Sequence, residues 1–296
     1  MDERDWLAAR FEEHRARLRA VAYRMLGSLA EVDDAVEETW LRLSRLDAAQ
    51  IENLGGWLTT VLARVCLNML DSRHSRREEP LEGYVPDPIV GRAEAMEPEE
   101  EALLADSVGL ALLVVLQTLD PAERLVLVLH DMFDVPFDEI AAMVGRSPAA
   151  ARQLASRARR RVKGAAPAPD DDPGRQRAVV DAFLAAARDG DFAALLALLD
   201  PNVMLRADVG ALPRRAPRVI HGAAAVAEQA LAFGRQRGRF SRRVRVNGAA
   251  GIVAAPGGRP VAVLSFAVRQ GRIVEIDILA DPARLSRLKV TQFQNG

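Results

Sequence analysis

The chain has 296 residues, enough for two or three domains, and a hydrophobic content of 49%, which is ordinary for a globular protein. Its net charge of −1 excludes a uniformly basic nucleic-acid-binding protein, so any such surface must come from local segregation of charge. The single cysteine, Cys66, excludes an intramolecular disulfide framework, and no apolar run is long enough to span a bilayer. The N-terminal segment MDERDWLAARFEEHR is charged throughout and lacks a signal-peptide core, so we expect a cytoplasmic protein without membrane contact.

Residues 5–77 have the periodicity of helices. One face of the first helix is apolar and consists of Phe11, Leu18, Ala22, Met25 and Leu26. The next helix has an apolar side that includes Val32, Ala35, Val36 and Trp40. It also carries an acidic segment, defined as Asp33, Asp34, Glu37 and Glu38. This segment is either a solvated helix face or a docking surface for a basic partner; a metal site is disfavoured, because no histidine accompanies the carboxylates.

A third helix, from Trp57 to Arg77, combines an apolar stripe with polar and basic residues. The stripe contains Leu58, Val61, Leu62, Val65 and Met69. The polar and basic residues are Arg64, Asn68, Arg73, Arg76 and Arg77. A base flipped out of melted DNA needs a small polar pocket with stacking or cationic groups nearby, and this helix could supply them. Trp57 is either a stacking platform or a core residue, the core role being favoured, and Cys66 is expected to be a small buried hydrophobe.

The segment 118–163 predicts a helix-turn-helix. Asp120 can cap its first helix, with Pro121 at the first position and Glu123 completing a capping box. A shorter helix is expected over residues 136–144, ending at Gly145, after which Ser147 caps a third helix. Two helices joined by a short glycine-containing turn form a DNA-binding arrangement.

The third helix of this motif has two faces. An apolar stripe for packing contains Ala151, Leu154, Ala155, Ala158 and Val162. Residues suited to base edges project the other way, namely Ala149, Arg152, Gln153, Ser156 and Arg160. Cations suited to phosphate contact are Arg157, Arg159, Arg160, Arg161 and Lys163. A solvated basic helix end, favoured by the helix dipole, would explain the arginines but not the turn that precedes them.

The last part of the chain changes to strands. After helices at 175–188 and 192–199, strands are expected at 203–207, 244–246, 252–254, 260–268 and 272–279, with hairpin turns at Asn247-Gly248 and Gln270-Gly271. This pattern predicts an α+β domain with a curved antiparallel sheet. In the final strand Glu275 and Asp277 alternate with apolar residues, so one face is core and the other is polar or lines a cavity.

Catalysis by this part of the chain is disfavoured. Its acid–base candidates are Asp208, His221, Glu275 and Asp277. A steroid-isomerase-type oxyanion hole needs a donor such as tyrosine, and both tyrosines, Tyr23 and Tyr84, lie elsewhere in the chain. His221 could equally belong to a structural turn. We therefore expect no enzyme activity, no cofactor and no metal site.

Several segments of the chain resemble those of a known family. The segments FEEHRARLRAVAYRMLGSLAEVDDAVEETWLRL and GGWLTTVLARVCLNMLDSRHSRR resemble the start and the promoter-reading end of region 2 of bacterial sigma factors of the extracytoplasmic-function group. PAERLVLVLHDMFDVPFDEIAAMVGRSPAAARQLASRARRRV resembles region 4, and the rest resembles the SnoaL-like domain of the sigma-J type subgroup. The resemblance implies a mainly α protein, in which a region 2 helical bundle and a region 4 helix-turn-helix precede a cone-shaped α+β barrel of the SnoaL/NTF2-like kind. The expected boundaries are 5–77 for region 2, 78–98 for a linker, 99–164 for region 4, 165–174 for a second linker and 175–296 for the SnoaL-like domain and tail.

Two short motifs of that subgroup are matched approximately. Tyr84-Val85-Pro86-Asp87-Pro88 resembles a WLPEP-like linker motif, and Asp281-Pro282-Ala283-Arg284-Leu285 resembles an NPDKL-like motif. A third motif, DGGG, is represented by Asp208-Val209-Gly210-Ala211, so its glycines are partly replaced. The resemblance implies that residues of these motifs make regulatory contacts, with 84–88 docking on the strand-rich domain and 281–285 lying against the sigma modules. These residues are Tyr84, Val85, Pro86, Asp87, Pro88, Asp208, Asp281, Pro282 and Leu285.

The resemblance implies a function as well. The acidic segment would dock the coiled coil of the largest subunit of core RNA polymerase, region 2 would open the −10 element of promoter DNA around Trp57 and Asn68, and region 4 would read the −35 element. The C-terminal domain would act in cis, without a separate anti-sigma factor, and could hold a small apolar ligand. Two alternatives remain: a stand-alone helix-turn-helix regulator, and a SnoaL-type isomerase or cyclase fused to a DNA-binding module.

Overall fold

A computed structural model describes residues 3–46, 51–75, 83–91, 109–165, 172–210 and 219–288. These residues form two compact units. The first unit contains the described residues up to 75 together with 115–165, and the second contains 83–91, 109–114 and the described residues from 172 onward. Arg76, Arg77, Ala211, most of both expected linkers and the last eight residues, 289–296, lie outside the described residues. None of the helices in the described ranges is long and apolar enough to cross a membrane.

The first unit begins with three helices. They are α1 (Glu3–Leu26), α2 (Leu29–Leu43) and α3 (Leu54–Ser75). Gly27 ends α1 because it takes a left-handed φ of 70° that other residues rarely adopt. The apolar face predicted for α1 is confirmed, since Phe11, Leu18, Ala22, Met25 and Leu26 are all buried.

The helix-turn-helix follows in the same unit. Helix α4 (Leu110–Gln117) precedes it, and its own helices are α5 (Pro121–Leu127), which continues into a π-helical turn (Val128–Met132), then α6 (Phe137–Val144) and α7 (Pro148–Ala165). Gly145 ends α6 with a φ of 62°, and the Ser147 hydroxyl accepts a 3.2 Å bond from the Ala150 N–H, as the sequence predicted. The predicted capping box is wrong, because Asp120 occupies the N-cap position without a side-chain cap bond. The Glu123 carboxylate instead forms ion pairs with Arg157 and Arg161 of α7.

Contacts also join region 2 to the helix-turn-helix within this unit. The buried Arg124 guanidinium of α5 donates a 2.6 Å bond to the carbonyl oxygen of Met25, at the end of α1. Arg17 donates to the carbonyl oxygen of Phe133 at 2.9 Å, and the Arg24 guanidinium lies 5.0 Å from the centre of the Phe133 ring. The first unit is therefore one packed body of helices in which both regions contribute buried polar contacts.

The second unit is α+β. Its helices are α8 (Pro173–Asp189), α9 (Phe192–Leu198), α10 (Ala223–Arg237) and α11 (Pro282–Leu285). Its strands are β1 (Val90–Gly91), β2 (Leu199–Asp208), β3 (Val219–His221), β4 (Ser241–Val246), β5 (Ala249–Ala254), β6 (Ala262–Arg269) and β7 (Arg272–Leu279). They form one sheet in the order β1-β4-β5-β6-β7-β2-β3.

The sheet corrects one expectation. Strand β2 pairs with β7 in parallel, whereas an antiparallel sheet was predicted; the other pairs are antiparallel. A hairpin forces neighbouring strands to run antiparallel, but β2 and β7 are separated by a long stretch of chain that imposes no direction. Both predicted hairpin turns are confirmed, with φ of 50° and 81° at Asn247 and Gly248, and 52° and 74° at Gln270 and Gly271.

The core of the second unit lies between the helices and one face of the sheet. Phe183 of α8 and Phe266 of β6 contact each other at its centre, with ring centroids 5.3 Å apart. Helix α10 packs closely on α8 because residue 234 is glycine, where an added Cβ would lie 1.9 Å from the Ala187 carbonyl oxygen. The opposite face of the sheet carries the charged clusters described below.

Candidate nucleic-acid interface

Helix α7 presents two distinct faces. Ala151, Ala155 and Ala158 are fully buried, and the helix packs on α5 and α6 through them. The residues predicted to project the other way are all exposed, namely Ala149, Arg152, Gln153, Ser156 and Arg160. The division of the helix into a packing stripe and an outward stripe is thus confirmed, and the outward stripe has the small and polar side chains that can approach base edges.

Three of the basic residues on α7 are held by carboxylates of the same module. Glu123, on α5, accepts from Arg161 Nη1 at 2.8 Å and lies 3.2 Å from Arg157 Nε. Asp131 receives two bonds from Arg159, at 2.7 Å from Nε and 2.6 Å from Nη2, and this hydrogen bonding raises the pKa of Arg159. Sequence reasoning missed both carboxylates, because their partners lie far along the chain and Glu123 also fits a local helix cap.

The other cations of α7 lie apart from these pairs. The Arg152 guanidinium is 5.6 Å from the centre of the Phe137 ring, and Arg160 Nε lies 3.4 Å from the Ser156 carbonyl oxygen. Lys163 is exposed near the end of the helix. In the part of the chain that the structure describes, Arg152, Arg160 and Lys163 form no ion pair. These three cations are therefore available to an external anion.

The acidic segment lies on α2. Asp34 and Glu37 are exposed, Asp33 forms an ion pair with Arg19, and Glu38 accepts a 2.8 Å bond from Arg42. Leu41 lies one turn beyond Glu37 on the same stripe and is 38% exposed. The sequence interpretation of this surface considered only its charge and did not include this leucine.

A cavity of about 320 Å³ opens between α2 and α3. Its lining consists of Glu31, Glu38, Arg42, Val65, Asn68, Met69 and Ser72. Asn68 lines this mainly apolar opening, together with Arg42, which is paired with Glu38. Arg73 lies outside this lining, where its Nε donates to Glu31 at 2.9 Å. Arg64 is exposed, Trp57 is half-buried, and neither lines the pocket.

A cluster centred on Arg284 brings together the motif residues of the second unit. Arg284 donates to Asp87 at 2.7 Å, to Asp208 at 2.7 Å and to the Val85 carbonyl oxygen at 2.6 Å. Its guanidinium lies 4.9 Å from the centre of the Tyr84 ring, and Asp208 also accepts from the Val85 N–H at 3.3 Å. We call these five residues the Arg284 cluster. Arg284 is the residue that joins the predicted set, although it was not among the predicted contacts.

The remaining predicted contact residues surround this cluster. Pro86 and Pro88 are buried, Asp281 caps α11 by accepting a 2.8 Å bond from Ala283, and Leu285 is buried, while Pro282 occupies the first position of α11. The retained glycine of the DGGG-like motif has a role here. Gly210 has a φ of 67°, and an added Cβ would lie 2.5 Å from an Asp281 carboxylate oxygen.

The segment that follows Tyr84 joins the sheet. Val90 pairs with Val246, which makes β1 an edge strand beside β4. Asn247 reinforces this pairing, because its side-chain oxygen accepts from the Ile89 N–H at 2.9 Å and its own N–H donates to the Ile89 carbonyl at 2.9 Å. Residues 84–91, which the sequence placed in a linker, are bound to the C-terminal domain along their length.

Three of the four acid–base candidates lie in arginine clusters. Arg206 donates to Glu275 at 2.7 Å and also pairs with Asp277, and we call these three residues the Arg206 cluster. Burial, followed by the charge of Glu275, raises the pKa of Asp277 to about 8. Asp208 belongs to the Arg284 cluster, and His221 is exposed on β3. Cys66 is buried in α3, and burial raises the pKa of its thiol to about 12, in agreement with the expected structural role.

Comparison with known proteins agrees with this organisation. Residues 10–76 match the family model of sigma-70 region 2, and residues 109–162 match that of sigma-70 region 4. A region 2 bundle and a region 4 helix-turn-helix on one chain define a sigma-70-type initiation factor.

Similarity to individual proteins extends over nearly the whole chain. A probable ECF RNA polymerase sigma factor, SigI of Mycobacterium tuberculosis, is 33% identical over 289 residues, covering 98% of each chain. The ECF sigma factor SigJ of the same species is 36% identical over 290 residues, covering 93% of this chain and 92% of the relative. The crystal structure of SigJ has a TM-score of 0.77 and 32% identity, and the match covers 96% of this chain and 99% of that one. The chain belongs to the extracytoplasmic-function RNA polymerase sigma factors.

Proposed function

We propose that this sigma factor directs promoter-specific initiation by core RNA polymerase under the control of its own C-terminal domain. The observation that carries the proposal is the Arg284 cluster. The segment 84–91 lies in the chain between region 2 and region 4, and the C-terminal domain binds it through Arg284 and through strand β1. A domain that holds this connection limits the arrangements open to the two promoter-binding regions, and it regulates only if it binds one arrangement better than another.

The acidic segment, together with Leu41, is proposed as the surface that docks the coiled coil of the largest polymerase subunit. Asp34 and Glu37 are the stronger candidates for contact, because Asp33 and Glu38 already pair with Arg19 and Arg42. Asp34 and Glu37 form no ion pair within the described ranges, and together with the exposed Leu41 they can provide both electrostatic steering and apolar contact area, which supports the proposal.

Promoter contacts are proposed for both regions. In region 2 the pocket at Asn68 is the proposed site for a flipped base, with Arg64 and Trp57 as neighbouring candidates. Arg73 is engaged by Glu31, and the predicted contacts at Arg76 and Arg77 lie outside the described residues. In region 4 the proposed base-reading residues are Ala149, Arg152, Gln153, Ser156 and Arg160.

The proposal includes neither catalysis nor a ligand. Asp208, Glu275 and Asp277 form ion pairs with arginines, which favours a structural role over acid–base catalysis. Side chains such as Phe183, Leu195 and Phe266 occupy the space between the helices and the sheet in the described part of the domain, which gives no support to a small apolar ligand. Control in cis requires no separate anti-sigma factor, and the protein would act in the cytoplasm with the bacterial polymerase.

Transcription from one promoter tests the control in cis. We expect Arg284→Ala to change the yield of run-off transcripts made by core polymerase on the protein's own upstream region, because the attachment of segment 84–91 is weakened. Arg287→Ala is the matched control, since Arg287 is an exposed arginine next to the same short helix. Equal yields from wild type, Arg284→Ala and Arg287→Ala would contradict the proposal.

Co-purification tests the docking surface. The double variant Asp34→Lys with Glu37→Lys should associate more weakly with core polymerase, and the effect should shrink with added salt. The control variant Glu12→Lys with Glu13→Lys makes the same change of charge on exposed residues of α1. If both variants lose association equally, the effect reflects net charge and the proposed surface is wrong.

A further inference from the structure

The cations of helix α7 divide into two sets. Arg157, Arg159 and Arg161 are paired with carboxylates of their own module, and we call them the inward set. Arg152, Arg160 and Lys163 form no ion pair among the described residues, and we call them the outward set. The sequence gives no reason for this division, because all six residues belong to one basic helix.

The division follows the geometry of the helix. Arg157 and Arg161 are one turn apart, so both reach the same carboxylate, Glu123. Arg152 and Arg160 lie on the stripe that also carries Gln153 and Ser156, which faces away from the packing alanines.

The burial of Glu123 makes its pairing hard to replace. Glu123 is 5% exposed, whereas the side chains of Arg157 and Arg161 are 54% and 50% exposed. If both arginines turned to DNA, they would leave an ionised carboxylate buried without a partner, which is strongly unfavourable. The second carboxylate, Asp131, is more exposed but holds Arg159 in a two-bond geometry that fixes the orientation of the guanidinium.

We infer that Glu123 and Asp131 are positioning residues for promoter reading: they fix the rotation and register of α7 and withhold Arg157, Arg159 and Arg161 from the DNA phosphates. The inference rests on the DNA-reading role of region 4. The outward set then supplies the cationic contacts from this helix. It also replaces the expectation, drawn from the sequence, that Arg157, Arg159 and Arg161 contact phosphate.

The salt dependence of DNA binding distinguishes the two sets. Each lost phosphate contact reduces the slope of log affinity against log salt by about 0.9, whereas a purely structural change leaves the slope alone. The full chain is titrated into a mixed-sequence DNA duplex of about 30 base pairs at salt concentrations from about 50 to 200 mM, with fluorescence anisotropy as the readout. We expect Arg160→Ala and Lys163→Ala each to reduce the slope by about 0.9, and Arg157→Ala and Arg161→Ala to leave it unchanged.

The conservative variants of the carboxylates test positioning itself. Glu123→Gln keeps the shape of the side chain and removes the charge that Arg157 and Arg161 share, although Arg161 keeps its contacts with Asp120 and with the Thr118 carbonyl oxygen. The slope should therefore steepen by about 0.9 if Arg157 alone is released and by at most about 1.8 if both are, and Asp131→Asn should steepen it by about 0.9. The same variants, combined with core polymerase, should discriminate less well between −35 sequences, because the helix is no longer fixed. Asp138→Asn is the control for net charge, since Asp138 is exposed on α6 and no ion pair in the described residues involves it.

The possible results separate this inference from its premise. Equal slope losses for Arg160→Ala and Arg161→Ala, or equal steepening for Glu123→Gln and Asp138→Asn, would overturn the inference and leave DNA reading by region 4 intact. Unchanged binding for every variant, Arg160→Ala included, would overturn the premise that this helix contacts DNA. Neither result depends on whether Arg284→Ala alters transcription.

Discussion

Arg206 and Arg284 each pair with two buried carboxylates in the second unit, but they join different kinds of segment. Arg206 and its partners Glu275 and Asp277 lie on β2 and β7, which are already hydrogen-bonded to each other. Arg284 instead connects α11 to the end of β2 and to Asp87, which is separated from it by 197 residues. The same chemistry therefore reinforces a sheet in one place and fastens a connecting segment in the other.

This difference has a physical consequence. Loss of Arg206 would leave Glu275 and Asp277 buried where the sheet holds them, so no movement of a connecting segment can relieve the loss of their shared partner. Loss of Arg284 can be relieved in part, because segment 84–91 can leave and carry the Asp87 carboxylate into water, whereas Asp208 stays on β2. A contact that can be released at moderate cost is suited to regulation, and one that cannot is suited to stability.

The largest expected effect is that of Arg206→Met. The side chain of Arg206 is 13% exposed, and its removal leaves two buried carboxylates without their cation. We expect the second unit to be destabilised by roughly 3–5 kcal/mol, measured as faster hydrogen–deuterium exchange in β2 and β7. Arg243→Met serves as the control, because its ion pair with Asp181 is exposed and should contribute no more than about 1 kcal/mol. Equal effects of the two variants would show that the Arg206 cluster is no stronger than a surface pair.

Arg284→Ala is expected to have a smaller and more local effect. Loss of its hydrogen bonds should weaken the attachment of segment 84–91 by about 2 kcal/mol, with faster amide exchange at Val85 and Ile89. Exchange in β7 should remain close to that of the wild type, and Arg287→Ala should change neither region. If β7 loses as much protection as segment 84–91, Arg284 stabilises the whole domain and the contrast with Arg206 is wrong.

The pH dependence of stability sharpens the comparison. The pKa of Asp277 is raised from 3.8 to about 8 in the folded protein, so folding takes up a proton between these values. A carboxyl group whose pKa is raised by folding stabilises the folded protein fully at a pH below its pKa in the unfolded chain. This stabilisation is lost as the pH rises through its pKa in the folded protein. The contribution therefore falls between pH 4 and pH 8, by at most about 1.4 kcal/mol per pH unit.

Asp277→Asn should remove this dependence. We expect the wild type to lose more stability than Asp277→Asn between about pH 6 and pH 8, measured by chemical denaturation at each pH with circular dichroism as the signal. Asp181→Asn, a change at an exposed carboxylate, is the control and should follow the wild type. Parallel curves for wild type and Asp277→Asn would mean that Asp277 stays ionised throughout this range.

Local features of the structure could be predicted from the sequence. The buried faces of α1 and α7 follow from apolar residues at helical spacing, and the turns at Asn247-Gly248 and Gln270-Gly271 follow from residues that tolerate a positive φ. Each of these patterns is contained in a short stretch of sequence, so it can be recognised without knowledge of the fold. The family resemblance marked the segments 84–88 and 281–285 as regulatory but did not predict that Arg284 joins them, because no periodicity connects residues so far apart.

Long-range pairings could not be predicted. The parallel direction of β2 and β7 is set by the path of the chain between them, and the residues of the two strands do not indicate it. Glu123 fits a helix cap in its local sequence, and only the position of α7 shows that it pairs with Arg157 and Arg161. Strand β1 was missed because it has only two residues, Val90 and Gly91, and follows a proline-rich segment.

Asn247 provides the smallest and most specific test of how segment 84–91 is held. Asn247→Gly keeps the positive φ that the hairpin requires but removes the side-chain oxygen that accepts the Ile89 N–H. The cost should be about 1 kcal/mol, seen as faster exchange of the Ile89 amide without loss of the hairpin. Gln270→Gly makes the same substitution in a turn with nearly the same φ, 52° against 50°, and at a position that β1 does not contact. If both variants leave Ile89 equally protected, the side-chain bond of Asn247 does not help to hold the segment. If Asn247→Gly alone exposes Ile89, the contact of the segment with this hairpin is a second attachment that regulation must also release.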